Sequence, residues 1–296
     1  MTTRNESDPT NQSANRTKAN RDNNRRLNKS AKEVLALWKQ VPAKRVVKGD
    51  IKNNIDYYEY DTDIPITQVS EIINRNLDTD LDSRPFNWYF DEYTERAWRS
   101  GTIQENAWVT VLLSGTALAV IPTETLFLSP TYTVSLELLQ DGSYLLIKNL
   151  ANTTTSQIMQ VIQSGIASGL SRSAIARKIV ERFEVSKSAA ARIANTEINR
   201  DYNNARMGAI DAYNENGIKL GVMHISALIA TTRANHARRH GRVYTTQAQR
   251  RWWASGANRI NCHCSTRGAV INNKNEVVDK KMQNKVRARG REFFKK

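Results

Sequence analysis

The chain has 296 residues, 40 % of them hydrophobic, which suffices for the core of one large or two modest domains and excludes a wholly disordered protein. With 44 Lys plus Arg against 29 Asp plus Glu the formal charge is +15, pointing to polyanionic partners, nucleic acid first. Two cysteines one residue apart, Cys262 and Cys264, exclude the disulfide framework of a secreted scaffold, and the chain reads as made for a reducing compartment.

The N-terminus lacks the apolar core of a signal peptide, and the longest apolar stretch, residues 107–121, is interrupted by Thr110, Ser114, Gly115 and Thr116 and falls short of a bilayer span. The sequence therefore predicts a soluble protein with no membrane partner. Charge comes in blocks: net +8 over residues 1–49, −7 over 50–100, zero over 101–223 and +14 over 224–296. The polyanion contact is expected at the two ends.

In chain order, residues 1–29 are Asn, Thr, Ser, Arg and Lys with almost nothing apolar before Leu27, and read as a disordered basic arm. Residues 30–150 read as a mainly helical N-terminal region. Its first helix carries Val34, Leu35, Leu37, Trp38 and Val41 on one stripe and ends at Pro42. Residues 51–66 mix aromatic and acidic side chains without a period, and their tyrosines are expected to pack. Thr67 then caps a helix with Val69, Ile72, Ile73 and Leu77 inward. Residues 86–120 predict one or two helices broken near Ser100 and Gly101. Between Pro122 and Leu150 two apolar stretches flank Asp141-Gly142, a dipeptide that turns hairpins, although the first stretch is equally compatible with helix.

Residues 151–217 predict three tandem helices, over 153–168, 171–183 and 188–216, with Gly217 as the stop. Residues 218–272 change texture to a strand at 219–229 and a basic, aromatic string, the pattern of a small α/β domain. Residues 273–296 carry nine basic and three acidic side chains with no apolar stripe, and read as a basic tail that stays mobile until phosphate is near. Lys280, Lys281, Lys285, Arg287, Arg289 and Arg291 are its candidate contacts to double-stranded DNA, without sequence preference. The fold class expected is α+β: a mostly helical body followed by a small β-containing C-terminal domain, with a disordered basic arm and a basic tail at the ends.

The helix ending IANTEINRDYNNARMGAIDAY, the strand, Thr232-Arg233 followed by His236, Gly241 ahead of Val243-Tyr244, and a closing Asn261-Cys262-x-Cys264 occur in that order. Together they resemble the Mu F-like minor head proteins of tailed bacteriophages, over roughly residues 156–270. The family usually has Trp on the strand where this chain has His224 or a neighbour, and Arg between the cysteines where it has His263. The resemblance implies a structural, non-enzymatic minor capsid protein of the virion, in the host cytoplasm during assembly. It also implies the portal protein as partner, with the major capsid protein as a second candidate, and a role in head assembly or DNA delivery.

The motif residues are Arg233, His236, His240, Gly241, Asn261, Cys262 and Cys264. Two arrangements are open for them. His236, His240, Cys262 and Cys264 have the donor types of a tetrahedral zinc site. The other arrangement is dry, with buried thiols and with Arg233 and His236 hydrogen-bonding the backbone around Asn261 while Gly241 makes a tight turn. Trp252-Trp253, beside Arg250-Arg251, is expected to fill a core rather than to stack on bases. Asn195, Thr196 and Glu197 suit either the polar face of the family's long helix or a solvated surface. An alternative function, a metal-dependent nuclease built on His236, His240 and the cysteines, is weakened because residues 224–275 contain no Asp or Glu to serve as base or ligand. No Gly-rich phosphate loop, serine elbow or dinucleotide fingerprint occurs.

Overall fold

The computed structural model describes residues 12–48, 55–60, 66–79 and 88–295. The chain divides into two compact units, one of residues 1–17, 90–140 and 192–296, the other of residues 18–89 and 141–191. Three long helices, α1 (Gln12–Gln40), α5 (Pro130–Ala167) and α6 (Arg172–Glu215), contribute residues to both.

In the unit of residues 18–89 and 141–191, α1 buries Ala19, Asn23, Leu27, Ser30, Val34 and Trp38. These recur every three or four positions, so one face turns inward along the whole helix. The basic arm expected over residues 1–29 is therefore helical from Gln12 onward; residues 1–11 lie outside the described residues. The inward positions before Leu27 are small or polar, so a reading based on apolar periodicity misses them.

Strands β1 (Ala43–Lys48) and β2 (Ile55–Tyr60) pair antiparallel, with Ala43 opposite Tyr60 and Lys48 opposite Ile55. Tyr60 packs its ring 5.2 Å from that of Trp38 and donates its hydroxyl to Leu170 O at 2.7 Å. The Trp38 indole N–H donates to Arg172 O at 3.1 Å. Helix α2 (Ile66–Leu77) buries Val69, Ile73 and Leu77.

No hairpin forms at Asp141-Gly142, which lies inside α5. Tyr144, Ile147, Ala151, Ile158 and Ile162 form a buried helical face that outweighs the turn signal of two residues. The two helices expected over 171–216 are likewise one. Ser186 continues α6 by donating to Arg182 O at 3.2 Å, and it receives the Thr154 hydroxyl at 3.1 Å.

The other unit begins, after a π-helical turn at Phe90–Thr94, with α3 (Glu95–Leu113) and α4 (Thr123–Phe127). Helix α3 does not break at Ser100 and Gly101. A Cβ on Gly101 would lie 2.3 Å from Tyr202 O and 2.9 Å from the Ala205 Cβ, so glycine is there because α3 and α6 approach at that point.

Beyond α6 come β3 (Leu220–Ile225), α7 (Ala234–Ala237), β4 (Val243–Tyr244), α8 (Thr246–Ala254), β5 (Ser265–Val270) and α9 (Lys280–Phe293). The sheet has the order β4-β3-β5 and is antiparallel throughout, with Val222 opposite Tyr244 on one side and Gly268 on the other. Period two along β3 sends Leu220 and Val222 to a core with Ile210, Tyr213, Trp253 and both cysteines. Met223 faces the other way, to Ala269, Val277, Met282 and Val286.

The basic tail is therefore a helix docked on the second face of the sheet. Asp279 caps α9 by accepting the Met282 N–H at 2.8 Å, and Gln283 donates to Gly241 O at 3.1 Å. Gly241 has φ +74°, and a Cβ there would lie 2.9 Å from Arg287 N, so the turn and the docked helix both require glycine. No described helix is long and apolar enough to cross a membrane.

A buried ion pair joins these layers. Glu105 on α3 is fully buried; its Oε1 accepts the Gly268 N–H of β5 at 2.6 Å, and its Oε2 accepts Nε and Nη2 of Arg206 on α6, each at 2.6 Å. Burial works against the Arg206 charge, but Glu105 and the Tyr202 hydroxyl more than offset it, and the guanidinium pKa lies above its ordinary value.

Two outcomes are expected. Glu105→Ala should lose about 3–5 kcal/mol in urea unfolding, because it strands Arg206 without a counter-charge, whereas Glu105→Leu combined with Arg206→Met should lose clearly less. Ending the chain after Ile271 removes Val277, Met282 and Val286 from the sheet and should lower stability by on the order of 3–5 kcal/mol; an unchanged melting temperature would contradict the docking of α9.

Candidate functional site

One stripe of α6 is polar and buried: Thr196, Asn199, Asn203 and Arg206, spaced by three, four and three residues. It holds the backbone that carries the cysteines. Thr196 Oγ1 accepts the Asn261 N–H at 2.9 Å, the Asn199 and Asn203 amides donate to Cys264 O at 3.1 and 3.2 Å, and Asn203 Oδ1 accepts the Thr266 N–H at 2.9 Å. Thr196 is thus buried against the cysteine loop and not solvated. Asn261 has φ +49°, a left-handed conformation that Asn tolerates better than most residues, and it turns the chain into the Cys-x-Cys. Arg233, just ahead of α7, donates Nη1 to Ala257 O at 2.6 Å and Nη2 to Asn258 O and Ile260 O at 3.1 and 3.0 Å, tying down the loop before Asn261.

His236 on α7 is buried, with Nδ1 3.5 Å from Cys262 Sγ and 3.4 Å from Cys264 Sγ. Its ring faces the thiols rather than the backbone near Asn261. His240 stands apart from this group: its Nδ1 accepts the Ser226 N–H at 3.0 Å, and its side chain packs beside Gly290 of α9. The fourth member is His224 on β3, a fully buried residue. One donor atom each of His224, His236 and Cys264 lie within 4.8 Å of one another. Among the four motif residues with metal-binding donors, the structure gathers His236, Cys262 and Cys264 and puts His224 where the sequence suggested His240.

Aromatic and amide groups frame the cluster. The Trp252 ring lies 4.7 Å from His236 and 5.2 Å from His224, and the Arg239 guanidinium covers Trp252 at 4.2 Å and Tyr244 at 3.7 Å. The Gln249 amide sits 3.1 Å from His224 Nδ1 and accepts from Arg239 at 3.1 Å. Trp253 is buried in the core beside Cys262 and Cys264, with Trp252 packed against it, so the tryptophan pair fills the interior.

Local charge follows from this packing. The Cys264 thiol, its backbone N–H and His236 all point at Cys262, which is drawn down to about 4 despite burial, while Cys264, holding the shared proton in a buried site, is raised. Burial, with Arg239 and His236 adding positive charge, pushes His224 down to about 3, and burial also lowers His240 and His263. Cys262 is thus drawn toward the thiolate and His224 toward neutral imidazole, the forms in which these side chains ligate a soft divalent metal.

Sequence reading passed over Glu105, Asn199, Asn203 and Gln249, and took His224 only as a departure from the family. The available signal was the polar stripe on α6, where Thr, Asn, Asn and Arg recur at helical spacing amid buried apolar neighbours. Lys280, Lys281, Lys285, Arg287, Arg289 and Arg291 are all exposed on α9.

Residues 156–267 match the family model described as Phage Mu protein F like protein. The match bears out the resemblance seen in the sequence, over those residues. No curated protein and no solved structure matches the chain.

Asp201, buried beside the stripe and paired with Arg200 at 2.8 Å, is raised by burial to about 6, with Arg200 opposing. Its folded pKa exceeds the unfolded value near 3.9, so its contribution to stability is fully present below about pH 4 and is lost as pH rises through about 6. Asp201→Asn removes that dependence. Its stability relative to the parent should rise by on the order of 2 kcal/mol between pH 4 and 7 in thermal melts; a constant offset would show that Asp201 ionises normally.

Proposed function

We propose that this chain is a structural minor head protein of a tailed phage, present in few copies in the virion, which meets the portal protein and the major capsid protein and contacts packaged double-stranded DNA through α9. The similarity of residues 156–267 to the family described as Phage Mu protein F like protein carries this reading. The DNA contact is supported by exposure of all six candidate cations on a helix anchored to the sheet, in a stretch of net charge +14 over residues 224–296. A non-catalytic role is supported by the acids near the sheet. Both Glu105 oxygens are engaged by Gly268 and Arg206, and residues 224–275 supply no carboxylate.

The virion assignment is tested by mass spectrometry of purified particles, where the chain should be present at low copy number; its absence would overturn the proposal. The DNA contact is tested by a salt titration on random duplex DNA. Lys280, Lys281, Lys285 and Arg291 are exposed, and neutralising these four with Gln should flatten the log–log slope by about 3–4 without altering the melting temperature. An unchanged slope would move the contact away from α9.

A further inference from the structure

We propose that His224, His236, Cys262 and Cys264 form a closed, tetrahedral, structural zinc site, with His240 outside it. The first support is metric. Bonds of about 2.3 Å to sulfur and about 2.0–2.1 Å to nitrogen at tetrahedral angles put sulfur and nitrogen donors about 3.5 Å apart. His236 Nδ1 stands 3.5 Å from Cys262 Sγ and 3.4 Å from Cys264 Sγ, so two edges of such a tetrahedron already have the right length.

The fourth vertex is His224. Its donor lies within 4.8 Å of those of His236 and Cys264, and its Nε2 is buried without a hydrogen-bond partner. Tetrahedral bonding requires the His224 ring to move closer to the other donors, Cys262 included. A buried ring nitrogen with no partner is costly unless something binds it.

The surroundings suit the metal. Gln249 Oε1 accepts from Arg239 while its amide nitrogen stands 3.1 Å from His224 Nδ1, so Nδ1 is engaged and Nε2 is the ring atom left without a partner. The Cys264 N–H points at Cys262 Sγ at 3.4 Å, and the Ala227 N–H points at Cys264, donors that favour thiolates. Two thiolates and one divalent zinc sum to zero, which lets the whole group sit in the dry space under Trp252. Two sulfur and two imidazole donors select zinc over magnesium or calcium, and four protein ligands leave no open position for catalysis. The site would cross-link β3, α7 and the turn entering β5.

The test uses the full chain, purified without a histidine tag, stripped, and titrated with Co²⁺ and then Zn²⁺. Binding of one equivalent, with the intense visible bands of tetrahedral cobalt and thiolate charge transfer, is expected, and X-ray absorption of the zinc form should count two sulfur and two nitrogen neighbours. His224→Asn and Cys264→Ser should lose the tetrahedral spectrum, His240→Asn should keep it, and Gln249→Leu should keep it with affinity lowered about 10- to 100-fold. A folded parent that takes up no metal overturns the proposal, as does a ligand count with oxygen or a single sulfur. Loss of metal in His240→Asn with retention in His224→Asn overturns the ligand set. None of these readouts depends on the phage role, so failure here and failure in the particle are separable.

Discussion

The Glu105 carboxylate is out of contact with water, and three elements of different sequence origin converge on it: α3 supplies it, α6 neutralises it through Arg206, and β5 docks on it through the Gly268 N–H. An unpaired charge so deeply buried is strongly disfavoured. The sheet therefore has one register in which β5 satisfies the carboxylate, and a slip of one residue would point a side chain at it instead. Gly268 fits this requirement, since a Cβ there would lie 2.7 Å from Glu105 Oε1. The close approach of α3 and α6 at Gly101, four residues earlier, sets the helix spacing that brings the two charges together.

From that point the polar stripe of α6 runs back toward the cysteines, giving each amide a backbone partner between Asn261 and Thr266. Helix, strand and loop thus fix one another through hydrogen bonds whose loss would leave buried polar atoms unsatisfied. The opposite face of the sheet is closed differently, by apolar contact with α9 through Met282 and Val286. That division separates two tasks. The α6 side holds the His and Cys side chains in a dry pocket, and the α9 side presents lysines and arginines to solvent on a helix that the sheet holds in place.

The sequence made the helical character, a strand within 219–229, found at Leu220–Ile225, and the grouping of His236 with the cysteines legible, because each rests on local periodicity or on residue chemistry at short spacing. It hid features that depend on distant neighbours. The Asp141-Gly142 turn signal is strong only when nothing packs across it, and in α5 a buried face on both sides overrides it. Helix α1 before Leu27 and α9 carry few apolar residues, and each is ordered by what it packs against rather than by its own propensity. His240 looked like a ligand because i and i+4 share a helix face. However, α7 ends at Ala237, and the chain turns before His240, which puts its ring against Ser226. His224, on β3, replaces it through strand pairing that spacing alone does not reveal.

Amide hydrogen exchange at Gly268 tests the dependence of the sheet on Glu105 most directly. Its N–H, bonded at 2.6 Å to a fully buried carboxylate, should be among the slowest to exchange in residues 192–296. In Glu105→Leu with Arg206→Met it should exchange much faster while the helical amides of α6 keep their protection. Rapid exchange at Gly268 in the parent, or equal protection in both proteins, would show that the carboxylate does not hold the strand.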